Sequence, residues 1–183
     1  MLKFLFILLP IFNAHALSLE NAKVEFVGFK LPAKIGVGGT FKQVEWQFQK
    51  NKSTTEDMLL GSTAKIDSYS IDTKLSARNS NIIESLFKKW GGQFIYAKVL
   101  DVDKSKKRMS VQLRIGEKVN KTVMVYQVEG RKFQAKGTID LVKMGLSNAF
   151  SSLASKCRVL HTDKDGIAKT WSDVDIKFSA DLK

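Results

Sequence analysis

Ala64-Lys-Ile-Asp-Ser-Tyr-Ser-Ile-Asp-Thr73, followed beyond Arg78-Asn79 by Asn81-Ile-Ile-Glu-Ser-Leu-Phe-Lys-Lys-Trp90, joins an alternating strand to a short apolar helix. Asn81 with Glu84 three residues on has the spacing of a capping box, which would satisfy N–H groups left unpaired in the first turn. Ile82, Ile83, Leu86, Phe87 and Trp90 then share one face at helical spacing. Lys88 and Lys89 stand in the last turn, where the helix dipole favours cations, and Gly91-Gly92 ends the helix. A helix this apolar, set among many strands, predicts a barrel with a lid or plug.

Outside this segment, period-two alternation dominates. Val24, Phe26 and Gly28 begin one strand, and Val37 to Phe48 hold a second. In the second, Phe41 is out of phase with Val44, Trp46 and Phe48, and a bulge near Lys42 reconciles the two sets. Met58, Leu60, Ala64 and Ile66 make a third alternating set, Phe94, Tyr96 and Leu100 a fourth, and Met109, Val111, Leu113 and Ile115 a fifth. Gly116-Glu117 suits a type II′ turn into Val119–Glu129, and Glu129-Gly130 turns into Phe133, Ala135, Gly137 and Ile139. Val174, Ile176, Phe178, Ala180 and Leu182 alternate with polar residues in the last strand. About eight strands joined by short turns predict an all-β fold, an eight-stranded antiparallel barrel with an interior able to hold one small ligand. Between Ile139 and Thr170 the spacing of Leu146, Ala149, Phe150, Leu153, Ala154 and Cys157 is helical, with Ser147 able to cap. One or two short helices are thus expected to cover the barrel.

Residues 1–16 read as a cleavable signal peptide: Lys3 in a short positive region, an apolar run from Phe4 to Phe12, and Ala14-His-Ala16 as a small-x-small cleavage site. The run is shorter than the roughly 20 residues a membrane-spanning helix needs. Residues 17–183 form one domain, expected to be periplasmic or secreted. Loss of Lys3 takes the formal charge from +12 to +11. The cations are spread along the chain except for Lys104–Arg108, which reads as a solvated hairpin turn. A basic, solubilising surface explains this better than a nucleic-acid site, with peripheral attraction to anionic lipid headgroups as an intermediate expectation. Cys157 is the one cysteine, so no intrachain disulfide can form. It falls on the apolar helical stripe and reads as a buried, inert thiol; a homodimer linked through it is the lesser alternative.

Catalytic constellations are scarce. His161 is the one histidine left after processing, and a helix end and a loop separate it from Cys157 with no third orienting group. Gly36-Val-Gly-Gly39 lacks the lysine of a phosphate loop, and Asp163-Lys-Asp-Gly166 is too short for a calcium loop. The chain is therefore expected to be a non-enzyme with no metal and no cofactor other than a bound lipid.

Several motifs resemble the YceI-like proteins. Val24-Glu-Phe-Val-Gly28 and Gly39-Thr-Phe41 are similar to that family's first hairpin, and Ile66–Thr73 with Arg78-Asn79 to the signature before its helix. Lys136-Gly-Thr-Ile-Asp140 with Met144-Gly145 and the closing strand Val174–Leu182 extend the likeness along the mature chain. Asn79 stands where the family usually has Asp. The resemblance implies an exported lipocalin-like barrel that binds a polyisoprenoid or another long-chain amphiphile.

The interior-facing sets nominate Phe26, Trp46, Phe48, Met58, Leu60, Phe94, Tyr96, Met109, Leu113, Phe133 and Phe178, with Leu86, Phe87 and Trp90 from the helix, as walls for such a ligand. Arg78 and Asn79 are the first head-group candidates, with Tyr69 and Tyr126 as hydroxyl donors; a salt bridge from Arg78 to Asp72 or Asp67 is the competing structural role. Side chains alone can fill a small barrel, but the surplus of aromatics with flexible Met58, Met109, Met124 and Met144 favours an adaptable pocket. The function expected is carriage or sequestration of a polyisoprenoid, isoprenoid quinone or fatty-acid-like lipid. The alternatives are an enzyme acting on such a lipid and a basic interaction or stress-response module with a filled barrel.

Overall fold

The computed structural model describes residues 17–183, and the expected signal peptide lies outside the described residues. Alternating sequence becomes ten strand segments: β1 (Leu19–Lys30), β2 (Ile35–Phe41), β3 (Val44–Gln47), β4 (Thr63–Asp67), β5 (Ile71–Asp72), β6 (Phe94–Asp103), β7 (Arg108–Ile115), β8 (Lys118–Glu129), β9 (Lys132–Asp140) and β10 (Thr170–Leu182). Three helices interrupt them: α1 (Thr55–Leu59), α2 (Ser76–Ser85) and α3 (Ser147–Lys156).

The break expected near Lys42 is real, and it closes the sheet. β2 and β3 are two halves of one strand bent at Lys42-Gln43; β4 and β5 are halves of another, bent at the tight turn Ser68–Ser70. β2 pairs with β1 and β5, while β3 pairs with β4 and β4 with β6. Across the bend, Lys42 N–H donates to the Ser70 carbonyl and Asp67 N–H to the Gln43 carbonyl, each at 3.0 Å. The Ser70 hydroxyl oxygen accepts from Gln43 N–H at 3.0 Å. The remaining ladders run β6-β7-β8-β9-β10-β1. Counted with their bends, the segments make eight antiparallel strands of a curled sheet whose ends meet, so the ten segments refine the expected count without changing the architecture.

The turns follow the sequence closely. Gly116 and Gly130 open two-residue hairpins with φ of 56° and 58°, a backbone that suits glycine at the first central position of a type II′ turn. At Gly116 a side chain would also strike the Gly91 and Trp90 carbonyls at 2.9 Å, because the end of the α2 segment rests on this turn. Asp103 caps the Lys104–Lys107 turn by accepting from the Ser105 and Lys106 N–H groups, so the basic run is the solvated hairpin its composition suggested.

Two local expectations need correction. Met58 and Leu60 do not extend a strand, because Thr55–Leu59 is helical. The Thr54 hydroxyl accepts from Asp57 N–H at 3.1 Å and donates to the Asp57 carboxylate at 2.6 Å, a cap that overrides the short alternation. Helix α2 also begins at Ser76, before Asn81, and Leu75 at its cap position offers no side-chain acceptor. Instead the Asn79 carboxamide oxygen accepts from the Thr73 N–H at 2.9 Å and from the Thr73 hydroxyl at 2.6 Å, fastening the first turn of α2 to the end of β5. Helix α3 lies where its stripe predicts, although Ser147 makes no capping hydrogen bond.

One end of the barrel is packed shut. Met58 and Leu59 of α1 are 1% exposed and Phe133 not at all. Phe133 stacks on Tyr126 with ring centroids 5.5 Å apart. The Tyr126 hydroxyl donates to Glu56 at 2.9 Å, and Lys107 pairs with the same carboxylate at 3.4 Å. Helices α2 and α3 lie against each other at the opposite end.

Phe133→Ala should cost about 3–5 kcal/mol, because a ring with no exposed surface leaves a cavity its neighbours cannot refill; urea unfolding measures it. Asp72 gives a pH signature. Its carboxylate accepts from the Lys74 N–H and ammonium and lies 3.4 Å from the Lys42 ammonium, which holds its pKa down at about 2. A depressed carboxylate stabilises the fold above its unfolded pKa of about 3.9 and loses that contribution as pH falls through about 2. Carboxyl-carbon NMR should place the Asp72 midpoint near 2, and Asp72→Asn should flatten the acid limb of stability over that window.

Candidate functional site

The space between the plugged end and the helices is not filled. An apolar cavity of about 530 Å³ runs from a floor of Trp46, Phe48, Leu59 and Phe178 to a roof of α2 and α3. Its size follows from where the chain places small residues. Ala64 of β4 faces Ala97 of β6 across the ladder, and Ala97 in turn faces Leu113 of β7. A side chain at Gly28 would meet nothing within 4 Å, so that stretch of wall borders open space. Gly39 has the opposite reason: the Phe26 ring lies across it, and a Cβ there would stand 2.5 Å from that ring. Phe26 is thereby turned inward toward Phe41, at 5.4 Å between centroids, and Phe41 toward Phe87 at 6.2 Å.

The roof is held in place by its own polar atoms. The Trp90 indole N–H donates to the Gly92 carbonyl at 2.6 Å, and its ring stacks on Phe87 at 4.4 Å. From α3, Phe150, Leu153 and Cys157 complete the lining. Leu75 and Leu160 line the cavity yet stand 51% and 62% exposed, which places its mouth at the helix-bearing end.

Ten of the expected site residues come together here: Phe26, Trp46, Phe48, Arg78, Leu86, Phe87, Trp90, Met109, Leu113 and Phe178 line the cavity. Six do not. Phe94 and Tyr96 sit on the outer face of β6, because the inward register falls on Ile95, Ala97 and Val99, opposite Ile115, Leu113 and Val111. A one-residue difference in phase sends every side chain to the other face. The two outer rings are instead covered by cations, Lys65 at 4.5 Å from the Phe94 centroid and Arg114 at 3.8 Å from that of Tyr96. Leu60 is 47% exposed beyond the end of α1, and Tyr126 and Phe133 belong to the plug below the floor. Asn79 is committed to Thr73 rather than to the cavity.

Arg78 lines the mouth, and among the described residues no carboxylate pairs with it. Its guanidinium donates to the Thr73 carbonyl at 3.4 Å; the salt bridge expected from Asp72 is absent because Lys42 and Lys74 take that carboxylate. Two ionisable mouth residues were not anticipated. Lys30 continues the inward alternation Val24, Phe26, Gly28 one step further, a signal present in the sequence. His161 follows α3, with its Nδ1 2.7 Å from the Thr170 hydroxyl. Burial, and then the Lys30 ammonium, lower the His161 pKa and favour the neutral ring. Burial raises the pKa of the Cys157 thiol, as suits the inert wall residue expected. Arg78, Lys30 and His161 thus stand at its rim, and most of the lining is apolar.

A scan of family models and a search of curated proteins matched nothing to this chain. Comparison with solved structures did. The chain is similar to BcnA of Burkholderia cenocepacia, with a TM-score of 0.60 at 14% identity over 88% of this chain and 96% of that one. A polyisoprenoid-binding domain from Saccharophagus degradans superposes with a TM-score of 0.60 at 16% identity, over 93% and 98% of the two chains. The YceI protein of Campylobacter jejuni gives 0.53 at 16% identity, over 79% and 84%. Barrel, bends and covering helices together give this chain the lipocalin-like fold of the YceI-like proteins.

Proposed function

We propose that this chain is an exported protein that binds one long-chain amphiphile, leaves it chemically unaltered, and carries or sequesters it with the tail in the barrel and the head group at the mouth. The observation that carries the reading is the cavity itself, about 530 Å³ of mostly apolar space under an aromatic roof with Lys30 and Arg78 at its mouth. That volume is ordinary for a site that buries most of a small ligand. Burial contributes about 0.8 kcal/mol per methylene, so ten methylenes give roughly 8 kcal/mol gross. Before ordering costs this corresponds to low-micromolar affinity, so a useful ligand needs a long chain. The polyisoprenoid-binding domain of the same fold supports this ligand class. The signal-like sequence of residues 1–16 supports export.

Arg78 and Lys30 favour a head group that is anionic, a carboxylate or a phosphate, over a neutral one. Purified mature protein examined by native mass spectrometry, then extracted into organic solvent, should release a long-chain lipid or take up a fluorescent fatty acid. Failure of both would sink the reading. Gly28→Leu should fill part of the cavity without a clash, lowering fatty-acid uptake several-fold at an unchanged melting temperature. Arg78→Ala should weaken a fatty acid by about tenfold, near 1.4 kcal/mol, while leaving the matching fatty alcohol nearly unaffected; competition titration separates the two.

A further inference from the structure

The helix-bearing end carries an apolar patch that continues past Leu160 of the cavity mouth. Val159 is 85% exposed, Leu160 62% and Ile167 56%, on two neighbouring loops after α3. The loops are tied together and to the barrel rim. Lys169 N–H donates to the His161 carbonyl, Leu31 N–H donates to the Lys169 carbonyl, and the Trp171 indole donates to the Leu31 carbonyl at 2.9 Å. The β1–β2 hairpin at this rim adds Ile35, 48% exposed. Single exposed aliphatics are ordinary, but a cluster fixed on a tied rim marks a contact surface.

Its charge identifies the contact. Lys156 and Arg158 immediately precede the exposed Val159-Leu160 pair, and Lys164 and Lys169 flank Ile167. All four cations are exposed. Lys164 has only a loose 3.9 Å contact with Asp165, and among the described residues no ion pair engages the other three. Two acids, Asp163 and Asp165, stand among these four cations, which leaves the segment net positive, and Asp173 and Asp72 are paired elsewhere. Asp163 accepts from the Asp165 and Ile167 N–H groups, Asp173 pairs with Lys34, and Asp72 pairs with Lys42 and Lys74. Aliphatic side chains among exposed cations in net excess, of which Lys169 also lies 4.9 Å from the Trp171 ring centroid, match the boundary of an anionic bilayer, where chains enter the acyl region and ammonium groups meet phosphates.

We infer that this rim docks the protein on an anionic lipid surface with the cavity mouth toward the bilayer, so that a lipid passes between membrane and barrel. The docking stands on the patch alone; the passage rests on the proposed carrier function. The full mature chain is to be co-sedimented with vesicles of mixed phosphatidylglycerol and phosphatidylcholine, and with vesicles of phosphatidylcholine alone. Binding should be confined to the anionic vesicles and should weaken as salt screens the cations. Val159→Asp with Leu160→Asp should lower it at least tenfold with the circular dichroism spectrum unchanged. Val123→Ser with Val125→Ser, on the outer face of β8 far from the mouth, should leave it intact.

Absence of binding to anionic vesicles would overturn the inference, as would equal losses from the two double variants. So would a rim-dependent dimer in sedimentation velocity without vesicles, which would assign the patch to a second copy of the chain. Fatty-acid uptake in free solution is measured in parallel. Vesicle binding with neither uptake nor any lipid recovered on extraction would leave the docking surface standing and remove only the carrier reading.

Discussion

Four backbone groups at one corner decide whether this sheet becomes a container. Lys42 donates to Ser70 and Asp67 to Gln43, so the strand that leaves β1 and the strand that joins β6 remain paired through a shared bend. Without this seam, which the β3–β4 and β2–β5 ladders continue on either side of the bend, the chain would be an open sheet with two exposed edges, each a row of unsatisfied donors and acceptors. With it, the interior has a circumference fixed by eight strands, and every inward side chain competes for the same volume. Ser70 reinforces the corner by accepting from the Gln43 N–H. A few polar contacts thus make the apolar interior geometrically possible.

Within that fixed volume the outcome is set by residue size. The lower part is filled by Phe133, Met58 and Leu59, and the Tyr126–Glu56–Lys107 contacts seal it. Higher up, Gly28, Ala64 and Ala97 withdraw atoms from the wall, and the large rings of Phe26, Trp46 and Trp90 border the space without occupying it. The division between plug and cavity therefore follows where bulky side chains reach across the axis and where glycine and alanine leave it clear. Lys30 and Arg78 at the upper end then give the cavity a direction, with an aromatic floor at depth and charge at its opening.

Much of this was legible in the sequence because period-two alternation is a strong constraint when one face is buried. The phase slip at Phe41 located the bend, and the stripe at Leu146–Cys157 located α3. The stripe at Ile82–Trp90, by contrast, covers only the end of α2, which stops at Ser85, and a separate 3-10 turn at Phe87–Lys89 that carries Lys88 and Lys89. The failures share a cause. Phe94 and Tyr96 alternate as well as Ile95 and Ala97 do, so hydrophobicity alone could not choose the phase. The choice was made by pairing with Met109–Ile115 and by Lys65 and Arg114 covering the outer rings. Met58 and Leu60 fit a strand until the Thr54–Asp57 cap is recognised as a short-range signal strong enough to prevail. Arg78 and Asn79 were paired as one head-group site, yet adjacent positions on a helix face different ways, one to the mouth and the other back to Thr73.

The three tryptophans occupy three depths: Trp46 at the floor, Trp90 in the roof and Trp171 at the rim. An indole's emission reports how polar its surroundings are, so this distribution amounts to a built-in depth gauge. A chain keeping Trp46 alone would register whether a tail reaches the floor. One keeping Trp90 would sense the fit beneath the lid, and one keeping Trp171 the approach of anything to the opening. Arrival, entry and full insertion would then separate as three optical signals from unlabelled protein.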